Sequence, residues 1–310
     1  MRICIRDVLD YLDSIGIEYR FYGNSSEEIT RYAPLNEIKN DAIIWAREIS
    51  YINIDEIVKY SNILLIMPYE RGFLCPCNCI MTKDPYKAYF KVLAHFWAAE
   101  DYEAKKEGIS SSAIIRSKNV GKNVYIGEHT YIDEDVIIGD NVMIQHNVTI
   151  QGHVVIGKNT FIQSGTTIGS SGFGYLVEDD GTRTCVPHLG GVTIGENVRI
   201  GSMVCIQRGC LSDTVIEDYV RIDNMCHISH NDVIKRGAML VVGTIVAGSA
   251  VIGENTWLGP GTIVNDGIEI ADCVYTGTGT VVNKSLPKQI VAIGVPAKKL
   301  RNRDMEKDLD

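Results

Sequence analysis

GKNVYI-GEHTYI-DEDVII-GDNVMI-QHNVTI-QGHVVI-GKNTFI-QSGTTI, residues 121–168, is one uninterrupted stretch broken here into sixes. Every block ends in isoleucine, and the fourth place of every block is valine or threonine. A helix repeats its apolar residues at threes and fours and a lone amphipathic strand at twos. A period of six therefore requires short flat strands joined by regular turns. The same step includes Ile114 and Val120, resumes at Ile194, Ile200 and Ile206, and runs from Ile216 through Ile222, Ile228, Ile234, Leu240, Val246, Ile252, Leu258 and Val264 to Ile270. Glycine often follows the aliphatic residue, as at Gly121, Gly139, Gly157, Gly195 and Gly253, which suits a tight corner. Each hexad supplies two inward side chains and a turn, so the predicted class is mainly β, a parallel β-helix of roughly eight coils stacked about 4.8 Å apart.

The period breaks twice. Between Ile168 and Ile194 the chain must leave the coil as a loop, 170–193, that begins Ser170-Ser171-Gly172-Phe173-Gly174-Tyr175. Between Ile206 and Ile216 the smaller segment Gly209-Cys210-Leu211-Ser212-Asp213-Thr214 does the same. Interruptions sacrifice regular pairing, so they mark where a site is shaped.

Around this domain, placed at 109–286, the pattern changes. Asp84-Pro85 opens a helix, since Asp accepts bonds from the first free amides and Pro fits the first helical position. Tyr89, Val92, Leu93, Phe96 and Trp97 then fall at helical spacing, predicting a linking helix over 84–108 that packs on the start of the β-helix. Residues 1–83 are predicted to form a small α/β domain, with strands at Ala42 to Trp45 and Ile63 to Met67 and a helical stretch around Asp55 to Tyr60. After Ile270 the repeat is expected to end, leaving a tail over 287–310.

The formal charge is −9, from 30 Lys and Arg against 39 Asp and Glu, which disfavours nucleic acid and anionic membrane surfaces as partners. Acidic residues interrupt MRICIRDVLDYLDSIG, and no apolar run has the roughly 18 residues of a membrane span, so a cytoplasmic protein is expected. Nine cysteines, most of them scattered, indicate reduced thiols. Cys75-Pro76-Cys77-Asn78-Cys79 has a spacing that suits a soft metal, but no second Cys/His pair lies nearby, and no metal is expected.

The repeat resembles that of the hexapeptide-repeat acyltransferases. The resemblance implies a left-handed parallel β-helix with three hexads, or 18 residues, per coil. Ser171-Gly172-Phe173-Gly174-Tyr175, Arg208-Gly209, Leu211-Ser212-Asp213-Thr214, Ile222-Asp223-Asn224 and Ile228-Ser229-His230-Asn231 appear in the order seen in the UDP-3-O-(3-hydroxyacyl)glucosamine N-acyltransferase family of lipid A synthesis. This second resemblance implies N-acylation of a nucleotide-linked amino sugar by a homotrimer. The donor is an acyl carrier protein or coenzyme A thioester, and no bound cofactor is implied. It also implies that Trp45 and Tyr51 stack on the nucleobase and that Phe173, Tyr175, Asp223, Asn224, His227 and Asn231 serve the substrate.

The chemistry points to the same histidine. An amine attacking a thioester must lose a proton, and histidine titrates nearest neutral pH, so His230 is the candidate base. Eighteen residues on stands Gly248, whose unshielded amide is suited to hold the oxyanion. Asp223 is expected to orient the imidazole or to bind the sugar. His129, His146 and His153 suit solvated rung positions.

The chain departs from the lipid A pattern at Gln207, where that family has Asp, at Asp266-Gly267, where it has Gly-His, and in having little sequence left for a C-terminal helical extension. A short acyl group transferred from coenzyme A to a dTDP-amino sugar for O-antigen therefore stays open. So do two other classes: a metal enzyme like the γ-carbonic anhydrases, needing three convergent histidines, and a non-catalytic scaffold.

Overall fold

A computed structural model describes residues 1–97 and 108–304. The part of the expected linking helix beyond Trp97 lies outside the described residues. The chain divides into two compact units, Met1–Lys106 and Glu107–Asp310.

The first unit is a five-stranded sheet in the order Tyr19–Tyr22, Asn78–Thr82, Leu64–Pro68, Ala42–Trp45, Arg31–Tyr32. The first pair is antiparallel and the rest are parallel. Ile43, Leu64, Ile66 and Ile80 pack with helices Ile5–Ser14 and Pro85–Phe96, while Ala42, Ile44, Leu65, Met67, Cys79 and Met81 belong to a second core cluster. A sheet covered on both faces needs apolar residues at successive positions, which is why these strands read as unbroken apolar runs. The Asp84 carboxylate accepts the Lys87 N–H at 2.9 Å, with Pro85 in the first turn. The helix buries Ala88, Tyr89 and Val92 in the first unit's own core. The apolar sheet face supplies the surface that its stripe requires.

The second unit is a parallel β-helix whose three sheets contain ten, nine and eight strands. Ile126, Ile144, Ile162, Ile200, Ile222 and Leu240 pair in register down one interior column. Their side chains are almost wholly buried. Truncating one rung isoleucine to alanine costs about 2–5 kcal/mol, because neighbours pinned by coil-to-coil hydrogen bonds cannot collapse into the gap. Inward threonines are satisfied across coils: Thr130 Oγ1 donates to Gln145 O at 2.7 Å and accepts the Val148 N–H at 3.2 Å.

The corner glycines have a different cause from the one expected. The left-handed turn position lies elsewhere in the hexad and is shared by asparagine, with φ of 55° to 58° at Asn123, Asn141, Asn159 and Asn197, by glycine, as at Gly165 and Gly237, and by other residues. Gly121 and Gly157 are needed for close approach. A Cβ on Gly157 would lie 2.5 Å from the backbone carbonyl carbon of Gly195 in the next coil.

The repeat also runs further than expected. Thr276 and Val282 are buried rung residues on strands Tyr275–Thr276 and Val281–Val282. Ile290–Ile293 continues one sheet, and the antiparallel strand Lys298–Asn302 covers its edge. The loop after Ile168 contains an antiparallel hairpin, Tyr175–Val177 with Arg183–Cys185.

Candidate active site

Strand His227–Ile228 ends in a corner, Ser229 to Asp232, that carries His230. Asp232 is fully buried and fastens the corner twice: one oxygen accepts the Ser229 N–H and the other the Ala250 N–H, both at 2.8 Å. The first bond closes the turn around His230, and the second ties it to the following coil, where Ser249 N–H also donates to His230 O at 2.9 Å. Burial outweighs these two amide donors and, with Asp266 adding repulsion, pushes the Asp232 carboxyl up to about 8.

His230 Nδ1 lies 3.2 Å from Asn231 Oδ1. The orientation of that amide is set by unambiguous partners: Cys210 N–H donates to Oδ1 at 3.0 Å, and Asn231 Nδ2 donates to Ser212 O at 3.2 Å. Oδ1 can only accept, so the imidazole proton sits on Nδ1 and Nε2 keeps its lone pair. Gly248 lies against that nitrogen, since a Cβ there would fall 2.7 Å from both Nε2 and Cε1. At the equivalent corner position four coils cap the N–H with a side-chain oxygen from the next coil, Lys122 by Asp140, Glu196 by Asp218, Ser202 by Asn224 and Glu254 by Asp272, whereas others among the described residues, such as those of Asp140 and Lys158, have no such cap. Among the described residues no such cap is found for Gly248 N–H. An imidazole lone pair and an uncapped amide donor thus share one corner.

A third group joins them that sequence reasoning does not reach. His188 lies in the excursion 170–193, outside the hexad period, and is 7% exposed. Its ring meets that of His230 edge to face, with centroids 5.3 Å apart and planes at 68°. The usable signal was its place just before the re-entry of the chain into the coil at Gly190-Gly191.

The other expected residues lie apart. His227 points outward beside Cys205 and Ile245, and burial lowers its basicity. Asp223 does not orient the imidazole: its oxygens accept the N–H groups of Asn224 at 2.7 Å and Val242 at 3.1 Å, and the orienting contact comes from Asn231. Asp223 and Asn224 line a cavity of about 490 Å³ with Arg199, Arg221 and Trp257. Phe173 and Tyr175 are exposed and pack on each other with centroids 5.0 Å apart. In the first unit Trp45 contacts Tyr86, Tyr89 and Phe90, and Tyr51 is exposed. Cys75 Sγ lies 3.6 Å from Cys77 Sγ. Among the described residues no three His, Cys, Asp or Glu side chains are arranged to hold a metal ion.

A coil of hexads with this corner is similar to those of the hexapeptide-repeat transferases. Residues 117–152, 135–170 and 249–284 match the bacterial transferase hexapeptide (six repeats) family. Within that class the chain resembles UDP-3-O-acylglucosamine N-acyltransferases. That of Delftia acidovorans is 47% identical over 182 residues, 58% of this chain and 54% of the relative. UDP-3-O-acylglucosamine N-acyltransferase 2 of Legionella pneumophila is 48% identical over 88 residues, 28% of this chain and 25% of the relative. The chain thus spans about half or less of the length of these curated relatives. The solved structure of LpxA, a UDP-N-acetylglucosamine acyltransferase from Bacteroides fragilis, is 26% identical, covers 62% of this chain and 73% of its own, and superposes with a TM-score of 0.55. The β coil expected from the sequence has the fold of LpxA, and the small N-terminal α/β region expected is present as well.

Proposed function

We propose that this protein transfers an acyl group from a thioester to the amine of a nucleotide-linked amino sugar, in lipid A or surface polysaccharide synthesis. The observation that carries the proposal is the juxtaposition of a fixed imidazole lone pair with the uncapped Gly248 N–H. Acyl transfer to an amine needs these two functions together. As the amine attacks the carbonyl carbon, His230 Nε2 removes a proton from nitrogen, and Gly248 N–H donates to the oxygen as it becomes negative. When the C–S bond breaks, the His230 imidazolium returns its proton to the departing thiolate. Asn231 holds the ring in the required tautomer throughout.

The donor is an acyl carrier protein or coenzyme A thioester, and the acceptor carries uracil or thymine. The exposed ring of Tyr51 and the aromatic edge around Trp45 are the proposed base-stacking surface, and the cavity beside Asp223 and Asn224 is a proposed substrate contact. We place the working unit as a homotrimer, because a single prism has only its own faces with which to enclose a substrate. Nine free thiols favour a reducing compartment, the cytoplasm. Among the described residues no helix is long and apolar enough to cross a membrane.

Purified protein incubated with UDP- and dTDP-linked amino sugars, and with acyl carrier protein and coenzyme A thioesters, should yield an amide-bearing nucleotide sugar detectable by mass spectrometry. His230→Ala should lower the rate on the best pair by about 10²–10⁴-fold while retaining the wild-type melting profile. Full activity in that variant would refute the mechanism. Light scattering under assay conditions tests the trimer.

A further inference from the structure

We propose that Cys75 is a peroxide-reactive thiol, oxidised by a small hydroperoxide and then joined to Cys77 in a reversible disulfide. The site belongs to the first unit and is independent of the acyl-transfer proposal, which leaves the cysteine run 75–79 without a role.

Sequence and backbone assemble the pair. Cys75-Pro76-Cys77 leads into strand Asn78–Thr82 without being part of it, and the chain bends at Pro76 and Cys77. Proline fixes its own φ and keeps the residue before it extended, so Cys75 has few conformations to lose when the two thiols meet. Their sulfurs are 3.6 Å apart, already in contact, and must close to about 2 Å to bond. Cys79 is placed differently. It is fully buried and held in mid-sheet, paired with Leu65 on one side and Tyr22 on the other. Its thiol reaches Cys75 as a hydrogen-bond donor, while its backbone is anchored against the shift that a covalent bond needs.

The pair is open to a small oxidant. Cys75 and Cys77 are half-buried, with inner sides on the second core cluster, and they are flanked by Leu74, 89% exposed, and by exposed Pro76. The hydrogen bonds of the cluster also run in a different sense from those of other thiols. Cys4 donates to Ser25 O, Cys185 to Val186 O, Cys210 to Pro187 O and Cys226 to Val241 O. A carbonyl only accepts, so each of these sulfurs keeps its proton. The Cys75 sulfur receives S–H from Cys77 and Cys79, which favours its thiolate, the form that attacks a peroxide.

The Cys75 thiolate attacks one oxygen of hydrogen peroxide, an S–O bond forms, and the O–O bond breaks. The electron pair leaves on the second oxygen as hydroxide, which takes up the proton that Cys75 had released and becomes water. Cys75 is now a sulfenic acid, oxidised by two electrons, and the peroxide is reduced. The Cys77 sulfur then attacks the Cys75 sulfur, the S–S bond forms, the S–O bond breaks, and hydroxide leaves with the Cys77 proton as a second water. The sum is two thiols plus hydrogen peroxide giving a disulfide and two waters. Two molecules of a thiol such as glutathione reverse it by exchange.

Reduced full-length protein treated with hydrogen peroxide, blocked with N-ethylmaleimide and digested with trypsin tests this. Cleavage after Arg71 and Lys83 gives one peptide, 72–83, that holds all three thiols of the run. We expect this peptide to lose two hydrogens and to carry a single maleimide, placed on Cys79 by fragmentation, at least about tenfold faster than the exposed Cys185 is oxidised. Glutathione added before blocking should restore maleimide to all three. In Cys77→Ser the reaction should stop at the Cys75 sulfenic acid, trapped as its dimedone adduct. A maleimide on Cys77 in place of Cys79, a bond between two chains, earlier oxidation of Cys185 or an unchanged peptide overturns the inference. The wild-type map needs no variant and decides the pairing by itself, and a Cys77→Ser protein with dimedone on Cys79 and none on Cys75 overturns the assignment of the attacking sulfur.

Discussion

His230 Nδ1 lies 3.2 Å from the side-chain oxygen of Asn231, the next residue in the chain, and that oxygen also accepts the Cys210 N–H. Adjacent side chains in a flat strand point to opposite faces and cannot meet this way. Asn231 turns back because it occupies the left-handed region, with φ of 62°. Asn231→Ala should lower kcat by about 10²-fold with a smaller change in KM, because the tautomer is no longer selected. Asn231→Asp, which also tolerates left-handed backbone, should move the acid limb of the pH–rate profile upward, since a carboxylate favours imidazolium. Steady-state kinetics from about pH 5.5 to 9 would check both, and an unmoved acid limb in the Asp variant would count against the contact.

Gly248→Ala tests the other half of the site. The added methyl would stand 2.7 Å from the imidazole Nε2, so the ring must swing away from its Asn231 partner. We expect amide formation to fall by about 10²-fold or more while circular dichroism and melting temperature stay close to wild type. Retained activity would show that the ring and this amide do not act together.

Asp232 should make stability depend on pH. Its carboxyl is raised to about 8 in the folded protein, against about 3.9 in an unfolded chain. Between these values the folded state holds a proton that the unfolded state has lost. Stability from this group is therefore complete below about pH 4, falls as pH rises, and levels off above about 8. Urea midpoints should decline less from about pH 5 to 8.5 in Asp232→Asn than in wild type. Equal declines would mean that the carboxyl is not the source.

Cys75 should be the thiol that reacts first. The Cys77 and Cys79 thiols donate to its sulfur, which holds the Cys75 thiol well below the usual thiol range and pushes theirs up. Near pH 6 iodoacetamide should alkylate Cys75 about tenfold faster than the exposed Cys185, as followed by peptide mass spectrometry. Preferential labelling of Cys185 would show that the donated thiol protons are absent.

The sequence alone was enough for the coil, and the reason is physical. A β-helix buries the same two places of every hexad, so Ile126, Ile144 and Ile162 announce their stacking by spacing alone. The eighteen-residue coil then carries His230 to Gly248. Tertiary structure decided what no period encodes. Asn231 rather than Asp223 meets the imidazole because a left-handed corner reverses the chain. His188 reaches His230 only because the excursion 170–193 folds back over the next coil. The helix Pro85–Phe96 packs on the first unit's sheet, since an apolar stripe names its need for a partner but not which one. Regular local repetition writes itself into the order of residues, whereas contacts made across irregular segments depend on where the whole chain has already gone.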